Sequence, residues 1–88
     1  MSDDLEPYLA AIRAYAPAHA GVTAAAHWWT DIDGRRALYV EDPPRDHVAL
    51  GDVYVTFRLE VDRELGSVAR ITYYRSRKGA NGDDTLPP

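Results

Sequence analysis

The chain has no cysteine, so no disulfide closes a loop and no thiolate holds a metal. The fold must stand on packing alone, which suits a reducing, cytoplasmic setting. Serine is nearly as scarce: Ser2, Ser67 and Ser76 are all there are, and none lies in the GxSxG context of a nucleophile elbow. A glycine-rich phosphate loop is missing too. No apolar run reaches the length of a bilayer span, and the opening MSDDLEPY carries acid where a secretory leader carries base. The sequence therefore predicts neither secretion nor membrane insertion.

What remains is an ordinary globular composition, 45% hydrophobic and 27% charged, which argues against disorder along most of the chain. A chain of 88 residues buries only roughly 60–65% of its unfolded surface, enough for one core. Net charge is −4, unevenly spread. Residues 1–69 hold twelve acids and six bases, whereas Arg70 to Lys78 hold four bases and no acid, so a weak basic patch is expected near the C-terminus.

Leu5, Tyr8, Leu9, Ile12, Tyr15 and Ala16 recur at spacings of three and four, the stripe of one buried helix face. Ser2, Asp3 and Asp4 offer N-cap oxygens, and Pro7 fits the first turn, where its missing N–H is not needed. Pro17 disfavours helix at Ala16. A helix over about residues 4–16 follows.

VTAAAHWWT, DIDG and RRALYVE read as strands over residues 22–30 and 36–41 around a turn in which Asp33-Gly34 supplies positive φ. The expected register sets Trp28 opposite Leu38 and Ala26 opposite Val40, turning His27, Trp29 and Tyr39 to the other face; a shift of one residue inverts this. DPPRDHVALGD suits either a helical turn over Val48 to Leu50 stopped by Gly51, or an irregular loop.

Residues 53–62 alternate without a fault. Val53, Val55, Phe57, Leu59 and Val61 lie on one face, and Tyr54, Thr56, Arg58, Glu60 and Asp62 on the other. Pairing Leu59 with Ile71 in a strand over residues 68–76 aligns the apolar faces and also sets Glu60 opposite Arg70 and Thr56 opposite Tyr74. Residues 79–88 offer little to pack and are expected to form a disordered tail after a single domain over 1–78. The fold class predicted is α+β, a helix on a four-stranded antiparallel meander.

His19, His27 and His47 match no metal-ligand spacing, and no cofactor motif is present. The carboxylates are accounted for by turns, the helix start and the Glu60–Arg70 pair, so nothing points to an enzyme. The informative constellation is the outer sheet face, expected to gather His27, Trp29, Tyr39, Tyr54, Arg58, Arg70 and Tyr74. Trp, Tyr and Arg dominate binding hot spots because they bury large area while keeping a polar handle.

The reading is a small non-catalytic module, of inhibitor, immunity, anti-defence or adaptor type, that binds another protein through this face or through an edge strand. The uncharged stretch from Val22 to Thr30 would also serve as an edge for pairing with a second copy in a homodimer. Two alternatives stand beside it. A curled sheet would let Trp28, Trp29, Tyr39, Tyr54 and His27 line a small-molecule or active-site pocket. Nucleic acid would be held by the outer face and the basic C-terminal segment, although the chain is acidic and lacks an RNP signature.

Overall fold

A computed structural model of the protein describes residues 4–79 and 82–86. The helix α1 spans Glu6–Tyr15. Leu5 rather than Asp4 occupies the N-cap position and makes no side-chain cap bond; Asp4, one residue earlier, accepts the Glu6 N–H on its Oδ1 at 3.0 Å, a local turn bond of the kind aspartate favours. Ser2 and Asp3, the other expected cap residues, lie outside the described residues. At the far end Ala16 leaves helical geometry at φ −133°, ψ 85°, as a residue before proline must.

Five antiparallel strands follow in the order β1-β2-β3-β4-β5: His27–Ile32, Arg35–Asp42, Val53–Val61, Val68–Gly79 and Gly82–Leu86. The helix packs on one face of this meander. Leu9 and Ile12 meet Leu38, Val40, Val55, Phe57 and Leu59, with Val22 buried beside them. Burying the apolar side chains of β3 alone contributes on the order of 10 kcal/mol gross, most of it offset by chain entropy.

The β3–β4 register is the one that alternation and charge require: Leu59 faces Ile71, Glu60 faces Arg70 and Thr56 faces Tyr74. The first hairpin departs from expectation. Asp33 and Gly34 both have positive φ, 51° and 77°, and form the whole two-residue loop, so Ile32 pairs with Arg35. Trp29 then falls opposite Leu38, Trp28 opposite Tyr39 and His27 opposite Val40. His27, Trp28 and Trp29 accordingly lie on the face opposite to the one expected.

The first strand also begins later than residue 22. Residues 17–19 form a 3-10 turn, and the Arg13 guanidinium donates to the Ala20 and Val22 carbonyls, both at 3.1 Å. Those carbonyls are satisfied by the helix rather than by a sheet ladder, so pairing starts only where Ala26 accepts the Glu41 N–H at 2.9 Å.

In the 42–52 connection the helical turn forms at Arg45–His47, directly after the two prolines and ahead of Val48. The loop is stapled by Lys78, whose Nζ donates to the carbonyls of Arg45 and Val48 at 3.1 and 3.0 Å. The 79–88 segment, expected as a disordered tail, contributes β5, which pairs Arg75 with Leu86 and Gly79 with Gly82; residues 80, 81, 87 and 88 lie outside the described residues. Its ladder partners come from the backbone of β4, which needs no apolar pattern in the incoming strand. The basic run Arg75 to Lys78 therefore lies on a strand paired on both sides, β3 and β5.

Candidate functional site

The sheet has one face covered by α1 and one face on which no described element is layered. Antiparallel sheets tolerate this when the second face is polar. Here the alternation of each strand sends Trp28 and Thr30, then Arg35, Ala37 and Tyr39, then Tyr54, Thr56, Arg58 and Glu60, and finally Arg70, Thr72 and Tyr74 to the uncovered side.

Trp28 and Tyr39 stack with centroids 5.1 Å apart and planes 2° from parallel. Trp28 keeps 42% of its surface exposed, so one flank of the indole is shielded by the phenol ring while area remains for contact. Beside this stack, on the next strand, Tyr39 faces Arg58 directly. The Arg58 guanidinium is held above the ordinary arginine range, first by a hydrogen bond with Tyr74 and then by the fields of Tyr39, Tyr74 and Glu60, which outweigh desolvation. It is a permanent cation with the Tyr39 and Tyr74 phenols as neighbours on this face.

Glu60 supplies the counter-charge. Only 9% exposed, it sits 3.5 Å from Arg35 and 3.9 Å from Arg70. Arg35 and Arg70 are themselves exposed, and both distances exceed a direct hydrogen bond, so the arginines keep donors for other groups. Thr30 Oγ1 and Arg58 Nε are buried without hydrogen-bond partners among the described residues, and both lie on this face. Ala37, on the same face, is only 1% exposed.

Of the residues expected here, Tyr39, Tyr54, Arg58, Arg70 and Tyr74 are on the outer face. Tyr54 is nearly buried at 6%. Trp29 and His27 are not on it. Trp29 belongs to the helix side, held edge-on by Tyr8 at 5.5 Å and under the Arg36 guanidinium at 4.2 Å. His27 is exposed and its Nδ1 lies 2.7 Å from the Ala24 carbonyl. Trp28 is the site residue assigned to the wrong side, and the signal that locates it is loop length: an Asp-Gly pair used as a two-residue turn leaves no other register. The same inversion separates Trp28, Tyr39 and Tyr54 from Trp29 and His27, so these five residues do not line a common pocket.

The three histidines stay apart. His19 packs on Phe57 at 5.1 Å and bonds Asp42 Oδ2 through Nδ1 at 2.8 Å, closing one end of the core, and His47 sits exposed in the 3-10 turn. No cluster of three or more metal-binding side chains occurs among the described residues. Two open clefts, of about 430 and 390 Å³, both border Asp62 and Arg63 near the β3–β4 turn. No described helix is long and apolar enough to cross a membrane.

Comparison with known proteins gives no match to any family model, to any curated protein or to any solved structure. The function is therefore argued from the face itself.

Proposed function

We propose that the protein is a small non-catalytic interaction module, of inhibitor or adaptor type, that binds a partner protein through the uncovered sheet face. The observation that carries this reading is the flat Trp28–Tyr39 stack on the uncovered face, with Arg58 directly across from Tyr39 on the next strand. Rings already fixed by stacking and by the sheet lose little entropy on binding, and a guanidinium beside them is suited to a carboxylate. Arg35, Arg58 and Arg70 outnumber Glu60 and Glu41, which pairs with Thr56 on the same face, in an otherwise acidic chain, which favours a partner surface that is acidic at its rim and apolar where it meets Trp28.

The test is affinity capture from the source cell, with the wild type beside Trp28→Ala and Tyr74→Ala, after circular dichroism has shown all three to be folded. The reading expects one protein enriched by the wild type and each variant weakening it by about 30-fold or more, the loss expected at a hot spot. Retention of that protein by both variants would place the contact elsewhere. A captured species removed by nuclease and by moderate salt would instead assign the face to single-stranded nucleic acid.

A further inference from the structure

The inner edge of the sheet order is closed at every strand except the two outermost. One of these is β5. The other, β1, is hydrogen-bonded to β2 alone in the sheet. Because Ala26 accepts the Glu41 N–H, and bonded positions alternate along an antiparallel pair, residues 28, 30 and 32 direct their backbone groups to β2. The N–H and C=O of His27, Trp29 and Asp31 therefore point outward, and none of them bonds another element among the described residues.

We infer that β1 is a dimerisation edge, pairing antiparallel across a two-fold axis with β1 of a second copy of this chain. In the register centred on Trp29, His27 faces the second copy's Asp31, Trp29 faces its equivalent, and Asp31 faces the second copy's His27. Each facing pair exchanges both of its backbone bonds. Sliding the strands by two residues in either direction forfeits one pair. The centred register also sets an imidazole across from a carboxylate twice, with no like charges opposed, which is the charge complementarity an isologous interface needs. Asp31 stays on its own Arg63, 2.6 Å away, and its side chain is exposed, so a second donor has access to it.

Two flanking features support a second copy over an unrelated strand. Trp28 and Thr30 fall opposite one another across the axis, which sets a small polar side chain beside the indole. The two outer faces then become one continuous surface, so the proposed recognition face is doubled rather than blocked. This inference does not depend on that reading, because its measurements report mass and not partner binding.

The experiment is sedimentation equilibrium of the full chain from about 10 µM to about 1 mM, where interfaces of small area associate. The wild type is expected to rise from 9.8 kDa toward twice that mass. His27→Lys should tighten association and His27→Asp weaken it, each by about tenfold, because two cross-strand pairs change together. Leu65→Lys and Leu65→Asp, placed in an exposed turn, change net charge equally and should leave association within about twofold of wild type, the screened long-range effect. Asp31→Pro removes an outward N–H that β2 does not use, together with the carboxylate that holds Arg63 and faces the second copy's His27, and should abolish the dimer. A wild type that stays monomeric throughout, or a dimer that responds alike to Lys and Asp at position 27, overturns the proposal; the His27 variants decide it even if Asp31→Pro does not fold.

Discussion

Replacing the two adjacent tryptophans one at a time separates the two faces of β1. Trp29 is half-buried between the Tyr8 ring and the Arg36 guanidinium and packs against the core. Trp29→Ala removes an edge-on aromatic contact of about 0.5–1.5 kcal/mol and a cation–π contact of about 0.5–1 kcal/mol. A further ~1–2 kcal/mol of apolar burial goes with them. The expected loss is about 2–4 kcal/mol, below the full cost of a completely buried tryptophan. For a domain of this size that lowers Tm by roughly 10–25 °C. Trp28→Ala removes the stack on Tyr39 from a side chain already 42% exposed, about 1 kcal/mol, or roughly 4–8 °C. Thermal melts followed by far-ultraviolet circular dichroism, with urea titrations for ΔG, give both numbers. Equal losses, or a larger loss from Trp28→Ala, would refute the register and with it the composition of the outer face.

Two further substitutions test how the chain is held in place. Gly34→Val puts a β-branched residue at φ 77° and should cost about 1–2 kcal/mol, measurable by urea unfolding, although no atom crowds the added Cβ; an unchanged midpoint would show that the loop does not need this conformation. Arg13→Met keeps the aliphatic stem but orphans the Ala20 and Val22 carbonyls, for an expected loss of about 1–3 kcal/mol with faster amide exchange over residues 20–26. Uniform exchange across the chain would mean that Arg13 does not hold this connection.

How much of the molecule was legible varied with the element. The perfect alternation of β3, backed by the Glu60 and Arg70 charges, admitted a single register with β4, because pattern and electrostatics agreed. Pro17 ended the helix by its covalent geometry alone. The outer face was correctly read for Tyr39, Tyr54, Arg58, Arg70 and Tyr74, whose strands alternate cleanly. It was misread for β1, where two consecutive tryptophans make both faces look apolar and three alanines before them add no contrast.

The amino-acid sequence by itself determined the fold class, the helix, the β3–β4 pairing and the absence of thiol chemistry, since each rests on local geometry or on a period that neighbours reinforce. Tertiary structure decided where β1 begins, which tryptophan faces the helix, and that residues 82–86 form a strand. Those outcomes depend on groups distant in the chain: the Arg13 guanidinium capturing the Ala20 and Val22 carbonyls, Tyr8 and Arg36 closing on Trp29, and the backbone of β4 accepting β5. No periodicity within a segment records a hydrogen bond that another segment supplies.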